Sequence, residues 1–173
     1  AELGEHFNAG LAQTYLEAAP RMVAFFQEHS ALQFIDGNAI PDFHGHTPHA
    51  AQGGRSVCAA PFDGRRLGAR IRHLKPPLPE TTLWGMGIAS GAELRHFIQV
   101  LRAPASFAYV ARRVLAYWRD CLWHGQGMRL VNGNALVAGL AATVFEAGGD
   151  IRVRHRATGL LQDAPDAGAA AAS

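Results

Sequence analysis

Three histidines, His44, His46 and His49, stand close together in Phe43-His44-Gly45-His46-Thr47-Pro48-His49. Grouped imidazoles can ligate zinc. No cysteine or carboxylate nearby completes a convincing set, and the stretch has no helical register to aim the rings. No metal site is therefore assigned, and these histidines are expected to be solvated or to line a substrate. Gly53-Gly54-Arg55-Ser56 is glycine-rich but lacks the Lys-Ser/Thr and the preceding strand of a phosphate loop. Gly85, Gly87 and Gly91 have the wrong spacing for a dinucleotide fingerprint, and no strong strand leads into them. Asn132-Gly133-Asn134 opens an apolar helical run. An asparagine there can cap the helix. The same geometry offers free amides and a positive helix end to an anion or a developing oxyanion. No Ser-His-Asp, Cys-His or paired-carboxylate arrangement follows from spacing, so no catalytic residue is assigned.

The elements that must position these groups are mostly helical. Leu11, Tyr15, Leu16, Met22, Val23, Phe25 and Phe26 predict two helices, or one kinked at Pro20. A short strand is expected over 32–35 and another near 56–59. The region 36–64 is long for a connection inside a domain, as functional loops are. Asp63 is placed to cap a helix over 64–74, which stops at Lys75-Pro76-Pro77. Ser90 and Glu93 have capping-box spacing, and Leu94, Phe97, Ile98 and Leu101 follow on one face, up to Pro104. Phe107, Val110, Val114, Leu115, Trp118 and Leu122 form a stripe read as core, closed by Gly125 and Gly127. A last helix runs to Ala147 with Leu136, Val137, Leu140 and Val144 on its apolar side. Gly148-Gly149 stops it, and a strand is expected over 150–161. Its partner strands are not obvious anywhere in the chain.

Composition limits the function classes. The 173 residues are 49% hydrophobic and only 17% charged, against about 25% charged in ordinary soluble domains. Some surface is thus expected to be covered by something else. The net charge of +2 and the scattered arginines speak against a nucleic-acid partner. Arg152, Arg154 and Arg156 alternate with Ile151, Val153 and His155 as the solvated face of a strand would. No stretch is apolar enough for a membrane span. Cys58 and Cys121 are expected as buried thiols, and the protein is expected in the cytoplasm.

Three stretches, in this order, resemble a known family. They are Pro41-Asp42-Phe43-His44 with Gly53-Gly54-Arg55-Ser56; Pro61-Phe62-Asp63-Gly64-Arg65-Arg66-Leu67-Gly68; and Val131-Asn132-Gly133-Asn134-Ala135-Leu136-Val137 with Gly148-Gly149-Asp150-Ile151. Residues 7–163 are similar to the middle of the flavoproteins related to 3-ketosteroid dehydrogenases and the succinate dehydrogenase/fumarate reductase flavoprotein subunit. The resemblance implies an α+β fold, with a helix-rich substrate-capping region over 1–127. One helix-strand unit of an FAD-binding domain returns over 128–163, and 164–173 forms a disordered tail.

The same resemblance implies an internal piece of a flavin-dependent oxidoreductase, inactive alone, whose parent holds FAD. The reaction would be hydride transfer at a CH–CH or enone group of a small, apolar ketone or enone. Phe43 and His44 would be pocket residues, Asn132, Gly133 and Asn134 would lie near the substrate or flavin, and Ala157 would adjoin the adenine. Ketosteroid dehydrogenases commonly have tyrosine where Phe43 stands. Without a hydroxyl, Phe43 can only pack, which disfavours steroid 1,2-dehydrogenation unless His44 takes over. The loop Val131-Asn132-Gly133-Asn134 lacks the histidine and threonine that hold dicarboxylates in the succinate and fumarate enzymes. Uncovered apolar surface favours self-association of the piece. A self-standing helical ligand-binding or interaction module without flavin is the alternative.

Overall fold

Small residues at 135, 138, 139 and 142 give the last helix one face with almost no side chain. Neighbouring backbone can then approach closely. This is the centre of the fold in the computed structural model, which describes residues 4–37 and 40–159. In chain order the helices are α1 (Ala9–His29), α2 (Ala92–Ile98), α3 (Pro104–His124) and α4 (Asn132–Glu146). Ala135, Ala138 and Ala142 of α4 form the core with Phe62 and Leu67. A Cβ added at Gly139 would stand 2.9 Å from the Leu32 Cα, so only glycine allows that approach. Thr143 on the next turn accepts the Ala31 N–H at 2.9 Å.

The apolar side expected for α4 is therefore not the buried one. Leu136, Val137, Leu140 and Val144 stay partly exposed, because the small residues are what fit beneath Leu32 and Phe62. A helix apolar all round needs a neighbour on both sides, and the described residues cover the small-residue side.

Among the described residues the strands are short and pair in three antiparallel ribbons: β1 (Phe34–Asp36) with β2 (Val57–Ala59), β3 (Phe62–Asp63) with β6 (Arg129–Leu130), and β4 (Thr82–Leu83) with β5 (Met86–Gly87). Ribbons of two strands are marginal alone. α4 lies across β2, β3 and β6 and supports them. Helices with small antiparallel ribbons make the fold α+β. The strand expected over 150–161 is not formed at 150–159, and 160 and 161 lie outside the described residues. Among the described residues no strand stands beside it, and Arg154 takes a left-handed φ of 63°, which breaks an extended run. The proposed tail 164–173 also lies outside the described residues.

Several local expectations changed type. Of the two readings for the first segment, one helix holds: Pro20 sits inside α1, capped by Asn8, whose side chain accepts the Leu11 N–H at 3.0 Å. Asp63 does act as a cap, accepting the Arg65 N–H, but the segment Gly64–His73 is a 3-10 helix broken at Gly68. Pro104 starts α3 rather than ending α2. The stripe on α3 is largely exposed: Phe107, Leu115, Trp118 and Leu122 face outward. Buried on α3 are Ser106, Val110, Arg113 and Asp120.

Candidate functional site

Asp42 organises the long loop. Its backbone N–H donates to the Ala51 carbonyl at 2.9 Å, its Oδ2 accepts the Ala51 N–H at 2.8 Å, and it pairs with Arg55 at 3.1 Å. Arg55 also donates to the His49 carbonyl at 2.8 Å. The glycines at 53 and 54 thus let Arg55 fold back on the histidine loop rather than cradle a phosphate. Thr47 donates through both its N–H and its hydroxyl to the His44 carbonyl. On this closed loop Phe43 is fully exposed and His44 is exposed. The His44 and His46 rings meet edge to face at 5.9 Å. Among the described residues no three His, Cys, Asp or Glu side chains are grouped to hold a metal. Cys58 and Cys121 are free, half-buried thiols.

Asn132 does not cap α4. Val131 holds the cap position, and Asn132 enters the helix with φ +52°. Its side chain instead ties down the loop before α2, donating to the Ile88 carbonyl at 2.8 Å and accepting the Ser90 N–H at 3.2 Å. Asn134 donates to the Lys75 carbonyl at 2.8 Å. Gly133, between them, opens onto empty space. These asparagines are anchored to 75, 88 and 90, whereas Phe43 and His44 belong to the 40–56 loop. Ala157 is exposed on the irregular stretch after α4.

One buried polar group was read from the sequence only as part of a helix cap. Glu93, expected in a capping box, makes none; Gly91 precedes α2 with no side-chain cap. The Glu93 carboxylate is buried, accepting from Arg113 Nε at 2.8 Å and from Arg129 Nη1 at 3.2 and 3.0 Å. Burial raises its pKa, but the hydrogen bonds and charges of Arg129 and Arg113 outweigh that and hold it below the ordinary range. Beside it, Asp120 accepts from Arg65 at 2.7 Å and from the Met128 N–H at 3.2 Å. The available signal was Arg113 and Asp120, seven apart and so on one face of α3.

Tyr117 lies between two cavities. One, of about 320 Å³, is walled by Phe62, Met86 and four arginines. The other, of about 420 Å³, is walled mainly by Ile71, Leu74, Pro76 and Val131 with Asn134. The Tyr117 hydroxyl donates to the Trp84 carbonyl at 3.2 Å. A Cβ at Gly85 would stand 2.8 Å from that hydroxyl, so the two-residue turn Trp84-Gly85, with both φ positive, needs its glycine. Burial, then a hydrogen bond with Cys121, raises the Tyr117 pKa and keeps it a donor.

These features define a class. The family model described as FAD binding domain matches residues 1–173, and the chain belongs to that family. It is 28% identical over 142 residues to 4-oxocyclohex-2-ene-1-carboxylate 5-dehydrogenase of Sinomonas cyclohexanicum, covering 82% of this chain and 24% of that protein. It is 31% identical over 149 residues to 3-oxosteroid 1-dehydrogenase of Mycolicibacterium smegmatis, covering 86% of this chain and 25% of that protein. The chain thus spans about a quarter of the length of these relatives. The crystal structure of 3-ketosteroid delta1-dehydrogenase from Sterolibacterium denitrificans, in complex with 1,4-androstadiene-3,17-dione, aligns with a TM-score of 0.64 and 28% identity. That alignment covers 78% of this chain and 24% of that one.

FAD is the cofactor of this family. The described residues do not form a cradle for it. Every buried side-chain N or O atom among them already has a hydrogen-bond partner, Gly53-Gly54 is folded onto Arg55, and Gly133 faces open space. The strand-to-helix turn from β6 into α4 starts its helix without a side-chain cap, but its Asn132-Gly133-Asn134 lacks the G-x-G-x-x-G spacing of a dinucleotide fingerprint.

Proposed function

We propose that this chain is the substrate-side part of a flavin-dependent oxidoreductase that dehydrogenates or reduces a CH–CH or enone group beside a ring ketone, and that it is inactive alone. The observation that carries this reading is the whole-chain match to the FAD binding domain family in a chain that spans about a quarter of its relatives' length. Likeness to two ring-ketone dehydrogenases supports the substrate class. Cofactor chemistry belongs to FAD, and this chain's residues would bind and orient the ring. Residues 1–127 would cap the substrate and 128–163 would lead back to the flavin domain. Phe43 and His44, exposed on an anchored loop, would meet the substrate. Asn132, Gly133 and Asn134 would lie near the ring or the flavin, and Ala157 would lie by the adenine.

The test is the visible spectrum and length of the protein from its natural source, with dye-linked turnover of 4-oxocyclohex-2-ene-1-carboxylate and a 3-oxosteroid. A yellow, longer protein that reduces dye with either ring ketone is expected. A colourless 173-residue protein that binds no FAD would overturn the reading. In the active protein, Phe43→Tyr restores a phenol at the pocket and is expected to raise 3-oxosteroid turnover by about tenfold or more. Unchanged kcat would remove Phe43 from the pocket.

A further inference from the structure

The cavity of about 320 Å³ beside β3, β6 and α3 has unbalanced charge. Arg65, Arg113, Arg119 and Arg129 line it, with Asp63 and Asp120. Glu93 stands behind, held between Arg113 and Arg129. Four guanidinium groups are thus matched by three carboxylates. The carboxylates are also fully engaged. Asp120 serves Arg65, Arg119 and the Met128 N–H. Asp63 serves both the backbone and the guanidinium of Arg65. Glu93 is shared by two arginines. Arg129 reaches Glu93 through Nη1 alone, so most of its fork is not spent on that contact. Phe62, Met86 and Ala116 give the same cavity its apolar lining.

The geometry points to a binding site for a monoanionic carboxylate carried on a compact apolar ring, held through Arg129 and Arg119. One uncompensated positive charge calls for one negative charge, and a guanidinium fork matches a carboxylate. A phosphate monoester, nearer two charges and without an apolar body, fits both features less well. The apolar lining accounts for the ring. The site rests on charge and shape. Only its assignment to substrate, rather than effector, rests on the proposed oxidoreductase function.

Cyclohexanecarboxylate is the probe, titrated into the protein and followed by broadening of its NMR lines. Saturable binding is expected, with neutral cyclohexanecarboxamide failing to compete at about tenfold higher concentration. Arg129→Gln should weaken binding by about tenfold or more, as loss of a charge-assisted hydrogen bond does. That variant also disturbs buried Glu93 and can unfold the chain. Arg119→Gln, at an exposed side chain outside the Glu93 group, keeps the test open and should weaken binding by about fivefold. Arg152→Gln, paired with Asp150 on the far stretch, should leave binding unchanged. Equal binding of acid and amide, tighter binding of inorganic phosphate, or unaltered affinity in a folded Arg119→Gln variant would overturn the site. The readout needs neither flavin nor turnover. A colourless protein that binds the acid would break the oxidoreductase reading alone, and a yellow one that ignores it would break the site alone.

Discussion

α4 and α3 are opposite solutions to the same problem. On α4 the buried face is alanine and glycine, and it closes on Phe62, Leu67 and the backbone of Leu32. On α3 the buried face carries an arginine and an aspartate, while Phe107, Trp118 and Leu122 look outward. α1 goes further, with no buried residue along its length. The chain therefore completes its polar interior by itself but leaves its largest apolar faces bare. Charges in the interior must be matched locally, because an unpaired buried charge is too costly to leave for a later partner. Apolar surface can wait for one.

The largest expected effect lies in that polar interior. Glu93→Gln removes the carboxylate shared by two arginines and leaves their charges facing each other. A loss of about 3–5 kcal/mol is expected in chemical denaturation. A loss below about 1 kcal/mol would mean that water already screens the group and that the contrast with the apolar faces is false. The pH dependence sharpens the same point. The Glu93 carboxyl is held below its ordinary value of 4.5 in the folded chain, so its ionised form favours folding. That contribution is complete above the unfolded-chain value and is lost as pH falls from there through the folded value. The acid limb of the stability profile should be shallower in Glu93→Gln than in the parent.

A smaller loss is expected where α4 meets Leu32. Gly139→Ala gains about 1 kcal/mol of helix propensity, yet its methyl would stand 2.9 Å from a backbone carbon that cannot swing away. Overpacking of this kind typically costs about 1–3 kcal/mol, so a net loss of about 1 kcal/mol should appear in the melting curve. A stabilised variant would show that the close approach is slack.

How much of this was legible depends on the same contrast. The end of α3, the Asp63 cap and the β2 position were readable, because Gly125, Asp63 and Val57 act through neighbours in sequence, whereas Pro104 was read as a stop when it is a start. The buried side of each helix was not. Periodicity locates an apolar stripe but cannot say whether this chain covers it, and on α3 and α4 it does not. Glu93 was misread for a related reason. Its capping-box spacing with Ser90 is local, whereas Arg113 and Arg129 come from 20 and 36 residues away. The strand expected after α4 failed because a ladder needs a partner, and no local signal reports whether one exists. The asparagines at 132 and 134 were rightly placed at a helix start but wrongly made its cap, since Ile88, Ser90 and Lys75 compete for their side chains. The anion cavity was invisible, because its arginines are scattered over 65 to 129 and meet only in the fold.

The smallest expected effect tests the bare faces directly. Leu122 is 81% exposed on the outward stripe of α3. A polar residue there uncovers little surface among the described residues, so Leu122→Ser should change the unfolding free energy by no more than about 0.5 kcal/mol. Association should respond instead. Phe107, Leu115, Trp118 and Leu122 together form a patch of the kind that pairs with another apolar surface. The chain alone is expected to self-associate in light scattering, and Leu122→Ser to shift it toward monomer. In a longer flavoprotein that covers this stripe, the same substitution should cost about 2 kcal/mol or more, the scale for losing a buried leucine side chain. Neutral behaviour in the short chain with loss in the long one would show that α3 is completed from outside. Neutrality in both would leave the stripe exposed in the whole protein, and the contrast with α4 would then lie in solubility rather than assembly.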